Sequence, residues 1–435
     1  MRFMGISLSG DYEALLAERR YEVISEIVER VLRGRRKVTF SDLLDKVFLD
    51  KYLGIPIFLA LWWALFRFTY DVSAPLSDLI DLLFGRLGQL VRAWVADEVL
   101  SSFIADGLIA GLGGVLVFLP PIFFLFFGLA ILEDSGYLAR AAFVFDKLLS
   151  KFGLQGRSFI PLLLGFGCNI PACMACRTID VEEDRLLTIL VSPLITCSAR
   201  LPVYVLIGSA VLGTYAAAGI YSMYLLSIFL AILMALLFRN TIPYFKGRRA
   251  AFILEFPPYA MPTLRTTLIH MWERGVLFLK KAGTVILFGV IVVWLLSNFP
   301  WGASLEASYL AVLGKTLEPI FRPLGFDWRA CVALFFGFIA KEIVVATFGT
   351  FFGLGEEEEE AIAEVIREQK MFTPLTGYAF MVFTLLYMPC IATVGVIYRE
   401  TNSVKWTIFT VTYGLILAYI MSLLVITVGH LMGFS

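Results

Sequence analysis

Long apolar runs separated by short polar segments dominate this chain. Runs without a charged residue lie between Asp106 and Glu133 and over Leu201–Phe238, Ala282–Leu305, Met371–Tyr398 and Trp406–Ser435. Each is long enough to cross a bilayer, for which about 20 residues suffice. The runs lack the alternation of a barrel wall, and backbone groups cannot stay unpaired in lipid, so the passages must be helices. The pattern predicts an all-α polytopic membrane protein of roughly eight to ten passages, some of them broken.

The polar segments divide the chain into four parts. These are a cytosolic amphipathic helical linker (1–50), a first membrane half (51–238), a cytosolic connection (239–281) and a second membrane half (282–435). In the linker, Tyr12–Arg36 has the pattern of an amphipathic helix, and no apolar core of a signal peptide occurs there. Ten Lys or Arg residues precede the first apolar run, so the positive-inside rule places the N-terminus in the cytoplasm.

Composition excludes several classes of protein. Hydrophobic residues make up 59% of the chain and charged residues 17%, which is too apolar for a soluble globule. The 36 basic residues are balanced by 36 acidic ones, so no cationic surface for nucleic acid is expected. The six cysteines are scattered through apolar sequence, unlike those of a secreted disulfide scaffold, and are predicted to be free thiols.

The two halves contain a repeat. Phe152–Thr178 aligns with Leu324–Thr350 at a constant offset of 172, with six identities in 27 positions. Each copy has a Gly-containing turn, an Arg, an apolar half-helix, then Gly-Phe and polar groups at membrane depth. The polar groups are Cys168–Asn169 in the first copy and Lys341–Glu342 in the second.

A second similarity follows each copy. The stretch beginning Cys197-Ser-Ala-Arg matches the stretch beginning Cys390-Ile-Ala-Thr, and a proline precedes each cysteine closely. Proline removes a backbone donor, and broken helix ends place partial charges inside the membrane. Two such repeats, with helices interrupted by Gly and Pro, are typical of the core of a secondary transporter.

The groups near these interruptions suggest which ion is carried. Candidate ligands are Cys168, Asn169, Cys197, Ser198 and Cys390. Candidates for the path or a gate are Glu133, Asp134, Arg200, Lys341, Glu342 and Thr393. Thiol, amide and hydroxyl groups suit a borderline ion such as Fe(II) better than Ca²⁺ or Mg²⁺, and two histidines are too few for a His-based zinc or copper site.

The remaining cysteines, Cys173, Cys176 and Cys331, are expected to pack as small apolar residues. Cysteines 168, 173, 176 and 197 have a spacing similar to that of ferredoxin cluster ligands. However, the segment is apolar and lacks a polar loop that would wrap a cluster, which argues against an iron–sulfur centre.

Five motifs carry a family resemblance. They are Leu132–Val144 (LEDSGYLARAAFV), Gly165–Ala172 (GFGCNIPA), Cys197–Tyr204 (CSARLPVY), Gly337–Glu342 (GFIAKE) and Tyr387–Thr393 (YMPCIAT). The chain, from about Arg20 to its end, resembles the membrane domain of the prokaryotic ferrous iron transport protein B family. The resemblance implies a Gate-type core similar to that of concentrative nucleoside carriers, and Fe(II) uptake across the cytoplasmic membrane. It also implies a Cys at positions 168, 197 and 390, whereas the family usually has other residues at 173 and 176.

One departure from the family concerns nucleotide hydrolysis. Family members usually begin with a cytosolic GTP-binding domain, but no Gly-x-x-x-x-Gly-Lys-Ser/Thr motif occurs in this sequence. We therefore expect a transporter and no enzyme activity from the chain itself, with GTP control supplied in cis in a full-length protein or in trans. The expected partners are ferrous iron as substrate, the lipid bilayer, small cytosolic proteins of the transport system and further copies in a homo-oligomer. No permanently bound cofactor is expected.

Two other functions are compatible with parts of the sequence. A nucleoside or small-solute carrier could share the Gate fold, although thiols rather than carboxylates and amides lie at membrane depth. An intramembrane enzyme lacks support because no nucleophile is paired with a base, and the adjacent Lys341 and Glu342 point about 100° apart on a helix.

Overall fold

The chain folds into helices joined by short connections. The computed structural model describes residues 12–31, 40–50, 53–117, 119–246, 259–279, 283–301, 307–352 and 359–433, and within these ranges it has no strand. The helices before residue 250 are α1 (Tyr12–Val31), α2 (Phe40–Phe48), α3 (Gly54–Trp94), α4 (Glu98–Ser102), α5 (Ala110–Val117), α6 (Leu119–Asp134), α7 (Tyr137–Lys151), α8 (Phe159–Gly165), α9 (Asn169–Ala175), α10 (Glu182–Val191), α11 (Leu201–Val211) and α12 (Ala216–Thr241). Those after residue 250 are α13 (Leu264–Phe278), α14 (Thr284–Asn298), α15 (Tyr309–Phe321), α16 (Trp328–Phe336), α17 (Ile343–Phe352), α18 (Glu359–Glu368), α19 (Pro374–Leu386), α20 (Ile391–Thr401) and α21 (Val404–Leu431).

The chain is a multi-pass membrane protein. In the described ranges, six helical stretches are long and apolar enough to span a bilayer: Gly54–Trp94, Glu98–Asp134, Glu182–Val211, Gly213–Thr241, Pro374–Thr401 and Val404–Leu431. Two shorter apolar helices, Leu287–Asn298 and Ile343–Phe352, are too short to do so alone. The all-α polytopic class is confirmed, but the predicted eight to ten passages require counting helices that do not span by themselves.

Four interruptions in the helices shape the centre of the molecule. The first lies between α8 and α9, and the third between α16 and α17, which are the corresponding places of the aligned repeats. The second lies between α10 and α11 and the fourth between α19 and α20, around the two matching cysteine stretches. Pro193 and Pro389, which lack a backbone donor, stand in these last two interruptions. The four interruptions are called breaks 1 to 4, in chain order.

Local side chains start several of these helices. Asp327 accepts from the backbone N–H of Ala330 at the start of α16. Thr373 and Thr376 form a reciprocal capping box at the start of α19, with Pro374 as its first residue. Such caps satisfy N–H groups that have no partner within the helix, so the starts of the helices that lead into breaks 3 and 4 are encoded locally.

The two repeats are interleaved. α9 of the first repeat packs on α20 of the second, and α11 of the first packs on α17 and on α18, which follows α17. An arginine holds the C-terminal end of each partner helix. Arg177 binds Glu400 in α20, and Arg367 donates to the carbonyls of Ser209 and Ala210 in α11.

The two polar parts of the chain are only partly described. α1 ends at Val31, and the remainder of the helix predicted to Arg36 lies outside the described residues, as do 247–258 and Lys280–Lys281 of the connection. Within that connection α13 packs along α6, and Trp272 stacks on Phe123 with ring centroids 5.7 Å apart. Part of the predicted connection thus lies against a membrane-spanning helix. Its cytosolic placement stays a prediction.

Candidate functional site

A central cavity lies where the four breaks meet. It has a volume of about 350 Å³. Break 1 contributes residues 167–170, break 2 residues 197–202, break 3 residues 339–342, and break 4 Cys390, Ala392 and Thr393. Because broken helices leave carbonyl and N–H groups without helical partners, the cavity has polar backbone and side-chain groups within an otherwise apolar protein.

Nine of the eleven residues singled out from the sequence line this cavity. They are Cys168, Asn169, Cys197, Ser198, Arg200, Lys341, Glu342, Cys390 and Thr393. The other two, Glu133 and Asp134, lie at the C-terminal end of α6 and are not among the lining residues. There Asp134 Oδ1 is 3.8 Å from His270 Nδ1 in α13. The structure therefore brings all candidate ligands to one place and separates two acidic residues from them.

The six cysteines fall into two groups. Cys168, Cys197 and Cys390 line the cavity and are partly accessible. Cys173, Cys176 and Cys331 are buried among apolar side chains. Among the described residues no group of three His, Cys, Asp or Glu side chains is placed close enough to hold a metal ion. The three accessible thiols thus share a cavity without forming a compact ligand cluster in this conformation.

Backbone hydrogen bonds tie the two breaks of each repeat together. In the first repeat, the N–H and the hydroxyl of Ser198 both donate to the carbonyl of Gly167, at 3.2 and 2.8 Å. In the second, the N–H of Ile391 donates to the carbonyl of Phe338 at 3.0 Å. Ser198 and Ile391 each follow the cavity cysteine of their repeat, so the corresponding breaks are linked in both repeats, through acceptors one position apart in the alignment.

A glycine permits close contact within the second repeat. A Cβ at Gly337 would overlap both the hydroxyl of Tyr387 and Cγ2 of Val344. Gly337 belongs to break 3 and Tyr387 to break 4. The absence of a side chain at Gly337 therefore allows these two breaks to approach each other beside the cavity.

Two buried cations form part of the cavity wall. The Arg200 side chain is fully buried and donates to the carbonyls of Pro193 and Ile195. Lys341 is 2% exposed; its Nζ donates to the carbonyl of Met388 at 2.9 Å and lies 3.1 Å from the ring centroid of Tyr387. Glu342 provides a carboxyl group in the same wall. In a medium of low dielectric, any charge that these groups carry acts strongly on an ion that enters.

Several polar atoms around the cavity have no hydrogen-bond partner. Among the described residues these include Oγ1 of Thr69, Oδ1 of Asn169 and Nε of Arg200, which line the cavity, and the hydroxyl of Tyr387 beside it. Burying such an atom unpaired is unfavourable by roughly 1–3 kcal/mol. Their arrangement indicates a space that holds water or a polar solute.

Comparison with known proteins assigns the chain to a family. A model described as Gate, nucleoside recognition, matches residues 115–211 and 279–404, which contain all four breaks. A model described as ferrous iron transport protein B C terminus matches residues 220–274. The chain belongs to the ferrous iron transport protein B family.

Curated relatives agree with this assignment. The Fe(2+) transporter FeoB of Methanocaldococcus jannaschii is 46% identical over 97% of this chain and 64% of its own length. A Fe(2+) transport protein A/Fe(2+) transporter FeoB fusion protein of Porphyromonas gingivalis is 37% identical over 98% and 56%. The FeoB of Campylobacter jejuni is 37% identical over 92% and 67%. The chain thus spans just over half to two thirds of these relatives. No solved structure gives a significant match.

The cavity of this family member also has lining residues that the sequence analysis missed. α3 contributes Phe66, Thr69 and Tyr70, and α6 contributes Pro121, Ile122 and Leu125. α3 and α6 lie close together because Gly128 of α6 has no side chain that would overlap Leu65 of α3. Thr69 and Tyr70 are polar residues inside the predicted first membrane half, which is the one signal that could have revealed them.

Proposed function

We propose that this chain carries Fe(II) across the cytoplasmic membrane through the cavity between the four breaks. The observation that supports this most directly is the convergence of Cys168, Cys197 and Cys390, drawn from both repeats, on one cavity. The relatives that match almost the whole chain are named as Fe(2+) transporters. Together these findings favour an iron path over a purely structural role for the breaks.

The donor atoms suit a borderline divalent ion. Thiolate sulfur, the Asn169 amide oxygen and the Ser198 hydroxyl are ligand types that Fe(II) accepts. Cysteine binds metals as the thiolate, so ion binding is coupled to loss of thiol protons. Three thiolates and the Glu342 carboxylate would balance the charges of Arg200, Lys341 and one divalent ion. Positive charge on Arg200 and on the entering ion would favour the thiolate form of the cysteines that bind it.

Because the thiols do not form a compact cluster, we infer that the ion is held by only part of the candidate set at a time. The remaining positions would be filled by water or backbone carbonyls. A partly hydrated ion is bound less tightly than one enclosed by a full set of protein ligands, which suits a site that must release its cargo.

We further propose the orientation and control of the transporter. The basic residues before the first span favour a cytoplasmic N-terminus. Control by GTP would come from a GTP-binding domain in cis in a full-length protein or in trans, since the sequence has no P-loop motif. The fusion protein of Porphyromonas gingivalis joins a Fe(2+) transport protein A to its transporter, which supports a small partner of that kind.

A nucleoside carrier is the second candidate. The matching Gate model is described as nucleoside recognition, and a cavity of about 350 Å³ falls within the range of small-molecule sites. Against it, the cavity wall has one carboxylate and one amide but three thiols and two cations.

Uptake into proteoliposomes separates the two functions. The purified chain would be reconstituted anaerobically with ascorbate and offered radioactive Fe(II), Mn(II) or uridine, with protein-free vesicles as the blank. We expect saturable Fe(II) uptake that excess uridine does not reduce. Uridine uptake without Fe(II) uptake would replace the iron proposal by the nucleoside one.

A further inference from the structure

Corresponding carbonyls in the two repeats each accept a hydrogen bond from a buried cation. Arg200 donates to the carbonyl of Ile195 at 3.2 Å, and Lys341 donates to that of Met388 at 2.9 Å. Ile195 lies two residues before the cavity thiol of Cys197, and Met388 lies two residues before that of Cys390. When the repeats are aligned on these two cysteines, the same carbonyl is bound in both.

The cations, however, come from different breaks. In the second repeat, the residue that corresponds to Arg200 is Thr393, and in the first repeat the residue that corresponds to Lys341 is Asn169. Each repeat therefore has one cation and one neutral polar residue, and the second repeat has them in exchanged places. The feature common to both repeats is the carbonyl that is bound, and not the position from which the cation reaches it.

The bound carbonyls belong to segments that no helix holds. Ile195 precedes Cys197 outside α10 and α11, and Met388 lies between the end of α19 and the start of α20. A buried carbonyl in such a segment needs a donor, and a neutral donor would satisfy it without the cost of desolvating a charge. In both repeats the donor nonetheless comes from a basic side chain that also lines the cavity.

We propose that Arg200 and Lys341 are a matched pair of positioning residues. Each holds the unwound segment that carries one cavity thiol, Arg200 that of Cys197 and Lys341 that of Cys390, so that the sulfur faces the cavity. The role of these thiols as iron ligands rests on the proposed function. The positioning of each segment by the hydrogen bond from Arg200 or Lys341 does not depend on the proposed function.

The exchanged arrangement provides the experiment. In Lys341→Asn the second repeat receives the residue found at the corresponding place of the first. Adding Thr393→Arg to it places a cation where the first repeat has Arg200. Because the Thr393 hydroxyl lies 3.1 Å from the Cys390 sulfur, Thr393→Val in the Lys341→Asn background is compared with it to separate the loss of that contact from the gain of the cation. The readout is the alkylation rate of Cys390 relative to Cys197 in the same molecule, measured by mass spectrometry after brief exposure to N-ethylmaleimide without iron. Fe(II) uptake is the second readout.

We expect Lys341→Asn to raise the alkylation of Cys390 about tenfold relative to Cys197, because the hydrogen bond that holds its segment is lost and the sulfur becomes more accessible to the reagent. The double variant should bring the ratio back toward that of the original chain and recover part of the uptake. Arg200→Thr should raise the alkylation rate of Cys197 and leave that of Cys390 unchanged. Lys341→Arg should behave like the original chain, whereas Lys341→Met should resemble Lys341→Asn. Lys405→Asn, at an exposed position of α21, is the matched control.

Other results would overturn the proposal. If the two thiols of the Lys341→Asn protein react at unchanged rates, or if both rates increase equally, Lys341 does not specifically position the segment of Cys390. A double variant that unfolds like the original chain yet keeps the altered ratio would also contradict it. The alkylation needs no iron, so specific positioning of Cys390 in a chain that fails to take up Fe(II) would refute the proposed cargo and leave the positioning role intact.

Discussion

The ion pair between Arg177 and Glu400 makes a quantitative prediction about how the two repeats hold together. Arg177 follows α9 of the first repeat, and Glu400 lies in the last turn of α20 in the second. Nε and one terminal nitrogen of the guanidinium donate to the two carboxylate oxygens at 2.6 and 2.5 Å. The Arg177 side chain is 52% exposed and that of Glu400 only 6%. The pair joins residues that are far apart in the chain at the place where α9 packs on α20.

The unequal exposure predicts unequal effects of the two substitutions. Arg177→Gln leaves a buried carboxylate without its cation. After allowing for the solvent around the arginine, this should lower the stability of the contact between α9 and α20 by about 2 kcal/mol. Glu400→Gln leaves an arginine that water can solvate, and should lower stability by about 1 kcal/mol. In the double variant the two effects should not add, because each single change already removes the shared interaction.

Buried cysteines beneath the pair provide the assay. Cys173 and Cys176 pack against Val396 and Ile397 of α20 and become accessible to a thiol reagent only when this interface opens. An effect of 2 kcal/mol corresponds to about a thirtyfold faster labelling of these two thiols. Asp180→Asn is the matched control, because Asp180 pairs with Arg157 nearby but is 79% exposed, and it should change labelling little.

The labelling rates also show how the reasoning could be wrong. If Arg177→Gln labels no faster than Asp180→Asn, the pair does not stabilise the contact between the repeats. Strictly additive effects in the double variant would mean that the two side chains act separately in spite of their contact.

Three further predictions concern the cavity and the cytosolic control. Replacing Cys168, Cys197 or Cys390 singly by Ser should lower Fe(II) uptake more than Ser at any of the three buried cysteines does; a triple variant with normal uptake would place the ion elsewhere. Gly337→Ala should reduce stability by about 1–3 kcal/mol, since its methyl group overlaps Tyr387 and Val344, and unchanged thermal unfolding would show that break 3 can move aside. The purified chain should hydrolyse GTP no faster than a mock preparation, which turnover that co-purifies with the protein through successive columns would contradict.

Much of the architecture could be predicted from the sequence because it depends on local composition. Apolar runs longer than a bilayer is thick leave the backbone little choice but a helix. Gly and Pro near Cys168, Cys197 and Cys390 weaken helices wherever they stand, so the breaks were predictable without knowledge of any contact. The residues at those breaks were therefore good candidates for a site in the centre of the protein.

The tertiary structure decided which groups meet at the cavity. Thr69 and Tyr70 reach it because α3 packs on α6, and Glu133 and Asp134 do not because α6 ends away from it. Nothing in the local sequence records either fact, since both depend on the direction in which whole helices cross.

The same holds for the charged groups. Lys341 is next to Glu342 in the sequence, yet its hydrogen bond is to the carbonyl of Met388, 47 residues away, and Arg177 pairs with Glu400, 223 residues away. A buried charge takes whatever partner the packing brings to it, because leaving it unpaired in a medium of low dielectric is the larger cost. Sequence periodicity describes the backbone and its surroundings, whereas partners distant in the chain are selected only when the helices pack.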